Sequence, residues 1–167
     1  LDDHFGADDA FKEAFNLLGS EGGFAGALVV GNRADVAARE GRLQDALDLF
    51  SDAQQRLSEQ GALGHAARLR IEAAEVLEIA GLYDEASAEL EDGIDALEAA
   101  DLSFESARAT FALGRLQLRA GRGKAASEYL DKAVRRFNQL GNALLANRAI
   151  LAAVEACIEA ERFDEAA

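Results

Sequence analysis

Residues able to do covalent or metal chemistry are few in this sequence and stand far apart. It has two histidines and one cysteine. His4 and His65 fall in different repeats of the pattern described below, so no local spacing joins them. Asp2-Asp3-His4 with Asp8-Asp9 supplies metal-capable atoms, yet a solvated acidic terminus accounts for that cluster more simply than a ligand set does. Cys157 stands at the place in an apolar helix face that Leu77 takes earlier. It is expected to be a buried, inert thiol, because a reactive one needs neighbours that stabilise the thiolate. Gly19-Ser20-Glu21-Gly22-Gly23 lacks the lysine, the Ser/Thr and the preceding strand of a phosphate loop. It reads as a linker. The expectation is a segment without catalysis, metal or cofactor.

Recognition chemistry is better represented. Arg68, Arg108 and Arg148 recur at one constant interval. Apart from Lys12, Lys124 and Lys132 every basic residue is arginine, whose planar fork pairs bidentately with carboxylates. Such a column suits an acidic peptide or a C-terminal carboxylate; the competing role is a structural bridge from each arginine to an acid of a neighbouring repeat. The formal net charge of −14 argues against nucleic acid and anionic membrane surfaces as partners. No apolar run approaches the ~20 residues of a membrane span, and no signal peptide is visible. The single cysteine fits a reducing compartment, and a cytoplasmic protein is expected.

The elements that must position these residues announce themselves by repetition. Gly41-Arg42-Leu43-Gln44-Asp45-Ala46 is followed at intervals of 40 by Gly81-Leu82-Tyr83-Asp84-Glu85-Ala86 and Gly121-Arg122-Gly123-Lys124-Ala125-Ala126, then by Glu161-Arg162-Phe163-Asp164-Glu165-Ala166. A fixed period of this size marks stacked helical hairpins. Abundant alanine and the absence of proline suit long, closely packed helices. The apolar spacing predicts one helix within 1–23, carrying Ala7, Phe11, Ala14 and Leu18. Further helices follow over 24–40, 43–60, 63–80, 83–99, 104–120, 124–140 and 143–160. Glycines 41 and 61 sit just past helix ends, where a left-handed residue is wanted. Ala46, Ala86 and Ala126 are read as close-packing positions. Phe50, Leu90 and Leu130 fill the space one turn on, and Leu57, Leu97 and Phe137 reach the following pair.

Gly81, Tyr83, Ala86, Leu90 and Gly93, with Gly41, Leu43, Ala46, Phe50 and Ala53 one period earlier, resemble the tetratricopeptide (TPR) repeat; Gly114, Ala34 and Ala74 match the small residue inside that family's first helix. The resemblance covers about residues 24–167. It departs in its period of 40 rather than 34 and in lacking the family's frequent Trp and closing Pro. The longer period is similar to repeats in bacterial signalling proteins, where the array is an arm on a caspase-like CHAT protease or a nucleotide-binding switch. The resemblance implies that first helices line a concave, peptide-binding side. On that side it places Arg68, Arg108 and Arg148, the charged Asp35, Glu75, Arg115 and Glu155, and the apolar Ile71, Phe111, Leu118, Leu151 and Ile158. The family's carboxylate clamp is broken: Arg108 and Asn32 fit it, but Glu72 and Ala112 stand where polar donors belong.

The fold expected is all-α, a right-handed superhelical solenoid of antiparallel helix pairs. It is parsed as a half-repeat or cap over 1–23, repeats over 24–61, 62–101 and 102–141, and a truncated repeat over 142–167, all in one domain. Both ends falling inside a repeat is what a segment of a longer parent would show. The expected function is a scaffold holding a protein or peptide through Arg68, Arg108, Arg148, Glu75, Arg115, Ile71 and Phe111. The alternatives are a regulatory arm acting within a larger enzyme or switch, and a self-assembly unit joined through exposed solenoid ends.

Overall fold

The computed structural model describes residues 4–18 and 23–166, all helices and tight hinges. The helices are α1 (His4–Leu18), α2 (Gly23–Arg39), α3 (Leu43–Glu59), α4 (Leu63–Ile79), α5 (Tyr83–Ala99), α6 (Ser103–Arg119), α7 (Gly123–Gln139) and α8 (Ala143–Ala166). Most bounds fall within one residue of those the apolar spacing predicts. The exception is the last helix. α8 runs straight through residues 161–166, where a fourth hinge is expected. The earlier hinges at 41, 81 and 121 turn on a glycine with positive φ. Position 161 is Glu, and Glu161-Arg162-Phe163-Asp164-Glu165-Ala166 contains nothing that opposes a helix.

The hinges share one geometry at half the period read from the sequence. Positive φ recurs evenly at Gly41, Gly61, Gly81, Asp101, Gly121 and Gly141. At each, the next residue's N–H returns to a carbonyl five residues back, as Arg42 does to Ala37 at 2.9 Å. The left-handed residue itself donates to a carbonyl three back, as Gly41 does to Ala38 at 3.0 Å. This pair of bonds satisfies carbonyls the helix end would otherwise leave bare. The residue after the left-handed one then opens the following helix, as Arg42 does by accepting from the Ala46 N–H. Asn142 adds a side-chain cap, its Oδ1 accepting from the Leu145 N–H at 3.1 Å.

The chain forms two compact units, Leu1–Leu82 and Tyr83–Ala167. In the first, α1 packs on α2, α2 on α3 and α3 on α4. Its core joins Ala27, Val30, Ala34, Ala46, Phe50, Ala53, Leu57 and Leu69. In the second, α5 packs on α6, α6 on α7 and α7 on α8, and α6 also touches α8. Phe137 meets Ala107, Ala146 and Ala149, and Leu130 meets Ala153 and Ala156. The positions read as packing sites are all buried, and Ala46, Ala86 and Ala126 are completely so. Gly114 shows why a small residue is needed inside a first helix, since a Cβ there would stand 2.7 Å from Leu130 Cγ.

Candidate partner-binding face

The expected site residues divide between the units, and each unit treats them differently. In the first unit Arg68 is exposed on α4, and its Nε lies 3.3 Å from Glu72 Oε1, one turn along the same helix. Its ion-pair partner lies on its own helix rather than on a neighbouring repeat. Burial pushes the Glu72 carboxyl above its usual range; Arg68 opposes that, while Asp35 on α2 and Glu75 push the same way as burial. Asp35 is in turn held by Arg39 at 2.9 Å. Ile71 is half-buried and Glu75 exposed. Arg39 and Arg68 are thus each engaged along their own helix.

The second unit arranges the same columns differently. Arg108 on α6 and Arg148 on α8 are both exposed, and neither has an ion-pair partner among the described residues. Phe111 is half-buried. Its ring meets the core ring of Phe137 edge-on at 6.3 Å and carries the Arg115 guanidinium 6.0 Å from its centroid. Such a contact orients a cation while leaving its N–H donors open. Between α6 and α8 runs a groove of 340 Å³ lined by Arg115, Leu118 and Arg119 on one wall and Ala152, Glu155 and Glu159 on the other. The structure therefore brings Arg115 and Leu118 to a common groove with Glu155, while Arg108 and Phe111 stand earlier along α6, outside its lining. Arg68, Ile71 and Glu75 belong to the first unit's face.

No family model matches this sequence, and no curated protein matches it. Solved structures do. The nearly identical TPR-like repeats of a Podosopora anserina protein described as a putative kinesin light chain superpose with a TM-score of 0.79 at 14% identity. That match covers 98% of this chain and 82% of the other. BtubC (BKLC) of P. vanneervenii gives 0.71 at 16% identity, over 99% of this chain and 74% of its own. This chain has the TPR-like helical-repeat fold.

In that fold α2, α4, α6 and α8 are first helices and α3, α5 and α7 second helices. The second helices of the second unit carry a set of contacts that columns on first helices do not reveal. Asp84, Glu91 and Glu98 recur every seven residues on α5 and meet Arg122, Tyr129 and Arg136, also seven apart. Arg122 Nη2 lies 2.5 Å from Asp84 Oδ1, the Tyr129 hydroxyl donates to Glu91 Oε1 at 2.6 Å, and Arg136 donates to Glu98. Arg136 also donates to Ser106 Oγ at 2.6 Å and Thr110 Oγ1 at 3.0 Å, both on α6. Gln117 on α6 donates to Ser87 Oγ on α5 at 2.8 Å. The hydrogen bond to Glu91, helped by burial, pushes the Tyr129 phenol up to about 12, so it stays a donor. The hydrogen bond from Arg136 holds the Glu98 carboxyl below its usual range. Each pair joins an acid on one second helix to a cation or phenol on the next, three times at the same sequence separation.

Two expectations about single residues change. Cys157 is exposed, with Ser127 Oγ 3.6 Å from its sulfur. Its counterpart Leu77 is buried; on α8 no further helix covers this side among the described residues. Asp2, Asp3 and residues 19–22 lie outside the described residues, as do the side chains of His4 and Asp8. Among the described residues no three His, Cys, Asp or Glu side chains converge as a metal site would require. Nor is any described helix long and apolar enough to cross a membrane.

Proposed function

We propose that this chain is a protein-interaction module whose α6–α8 groove holds a peptide segment bearing acidic and aliphatic side chains. One observation carries the reading. In a chain of net charge −14, Arg108 makes no ion pair among the described residues, and Arg115 rests on an aromatic ring rather than a carboxylate. Carboxylates are plentiful, so an arginine left without one keeps its donor fork available for an incoming acid. Phe111 and Leu118 offer apolar contact on the same helix, and Glu155 on the opposite wall accepts a basic side chain or backbone N–H groups. Arg68, with Ile71 and Glu75, forms the corresponding but self-engaged column of the first unit.

Selection from a random peptide display library, followed by fluorescence anisotropy on the enriched sequences, tests this. Enriched peptides should carry Asp or Glu next to an aliphatic residue. Arg108→Glu with Arg115→Glu should weaken their binding at least ~10-fold, with the helical circular dichroism unchanged. Peptides that bind the double variant as tightly as the native protein would sink the assignment.

A further inference from the structure

α8 is turned inside out relative to what its composition would lead one to expect. The face it buries against α6 and α7 is Ala146, Ala149, Ala153 and Ala156. Its opposite face exposes Leu144 (73%), Leu151 (72%), Val154 (54%) and Ile158 (49%). The larger apolar side chains are thus in water. Leu144, Leu151 and Ile158 are spaced by seven, which places them in one line along a helix, and Val154 flanks that line. No other helix among the described residues exposes such a row, and a contiguous apolar stripe edged by charge marks an interaction surface.

We infer that this stripe docks against the same stripe of a second copy of the chain, the two α8 helices lying antiparallel about a two-fold axis through Leu151. The spacing is self-complementary in that arrangement and no other feature need be added. Reversal about residue 151 sets Leu144 against the partner's Ile158 and Leu151 against the partner's Leu151. A two-fold axis also brings like edges of the two helices together. Arg148 and Glu155 share one edge of the stripe, so reversal places Arg148 within one residue of the partner's Glu155, twice per dimer. Both are exposed, and Arg148 has no ion-pair partner among the described residues. A parallel pairing would instead bring opposite edges together, so the Arg148 and Glu155 edge would meet the Val154 side of the partner and lose the charge pairing. The net charge of −14 on each copy works against association, so a weak, concentration-dependent dimer at physiological salt is expected. This inference stands on the stripe rather than on the peptide-groove reading; it gives Arg148 to the second copy and shares Glu155 with the α6–α8 groove.

Sedimentation equilibrium of the whole chain under reducing conditions tests it, with three sets of variants. The native chain should pass from monomer to dimer between micromolar and millimolar concentration. Leu151→Glu, which puts two carboxylates at the axis, should weaken the dimer by ~100-fold or more, with circular dichroism unchanged. Arg148→Glu and Glu155→Arg should each weaken it, and their combination should restore it. Register is read by oxidation in a Cys157→Ala background. Leu151→Cys should cross-link to itself, whereas Leu144→Cys should not, because the antiparallel register sets the two copies of residue 144 ~21 Å apart at the helical rise of ~1.5 Å per residue. A native chain that stays monomeric overturns the inference. So does a dimer indifferent to Leu151→Glu, a double swap that fails to restore it, or self-cross-linking at residue 144, which would mean a parallel pair.

Discussion

The two units use one repeat register and hold their helices by different chemistry. In Leu1–Leu82 apolar contacts join the helices, and ion pairs run along single helices or their hinges, as Asp35 with Arg39, Asp52 with Arg56, Arg68 with Glu72, and Arg42 with Glu40 and Asp45 do. In Tyr83–Ala167 the apolar contacts persist, but α5, α6 and α7 are also laced by Asp84–Arg122, Glu91–Tyr129, Glu98–Arg136 and Gln117–Ser87. Among the described residues the buried polar side chains, Ser87, Ser106, Thr110 and Gln117, belong to this second unit. Apolar burial is non-directional and tolerates small slips, whereas a hydrogen bond of defined length and angle does not. The difference indicates that a repeat fixes where helices go and leaves open what fastens them.

The largest effect should come from Gly123. In the hinges at 41 and 81 the corresponding positions are Leu43 and Tyr83, but a Cβ on Gly123 would stand 2.7 Å from the Ala160 nitrogen and 2.9 Å from the Ala156 oxygen. Those are backbone atoms, which cannot rotate aside as Leu130 can beside Gly114. Gly123→Ala should therefore destabilise the second unit by about 2–3 kcal/mol despite alanine's better helix propensity. Leu43→Ala, which removes a partly buried side chain at the matching place in the first unit, should cost no more than about 1–2 kcal/mol. Urea denaturation of both variants measures this. A stabilised Gly123→Ala would show that α8 moves off α7 readily, and the contrast between the two hinges would fail.

Arg136 tests the lacing itself. Its side chain is mostly buried, and Arg136→Ala removes the donor shared by Ser106, Thr110 and Glu98, for an expected cost of about 2 kcal/mol. Part of this should depend on pH. The Glu98 carboxyl is depressed chiefly by the Arg136 hydrogen bond, so its contribution is present above the ordinary glutamate range near ~4.3 and fades as pH falls through the lower folded value. Glu98 is 44% exposed, and solvent screening limits that part to about 1 kcal/mol or less. Thermal melts of native and variant protein should converge partially below about pH 4. A gap constant down to about pH 3 would place the whole effect in the uncharged partners. The matched substitution in the first unit is Arg56→Ala, whose pair with Asp52 is partly exposed and one turn away on the same helix. It should cost at most about 0.5 kcal/mol.

What could be read from the sequence follows the same division. Ala46, Ala86 and Ala126, with Phe50, Leu90, Leu130, Leu57, Leu97 and Phe137, are legible because burial constrains residue type at every repeat. The α5–α7 bridges are not, because each joins two helices at a separation slightly shorter than the repeat and recurs within one pair of helices rather than with the period of 40. Arg68, Arg108 and Arg148 look equivalent in sequence, yet Arg68 finds Glu72 one turn on, where the second unit has Ala112 and α8 has Ala152. Cys157 departs from its expected burial because periodicity predicts the face a residue occupies but not whether another helix covers it.

The smallest effect concerns the hinge that departs from glycine. Gly41, Gly61 and Gly81 turn the first unit, but in the second, Asp101 adopts φ 57° between α5 and α6. A residue with a Cβ is disfavoured in the left-handed region by ~1–2 kcal/mol, less for Asp than for most. Glycine removes that strain but loses more backbone entropy on folding, by ~0.5–1 kcal/mol. The two terms leave a net gain of about 0.5 kcal/mol for Asp101→Gly. Gly61→Asp in the first unit should lose a similar amount, since open space surrounds Gly61 and only its φ of 73° resists a side chain. Paired chemical denaturation curves, with each unit also destabilised in turn, resolve shifts of this size. Equal and opposite shifts would mean that the hinges, unlike the lacing, are interchangeable between the units. A loss of stability in Asp101→Gly would instead mean that the Asp101 side chain holds the hinge through a contact that glycine cannot make.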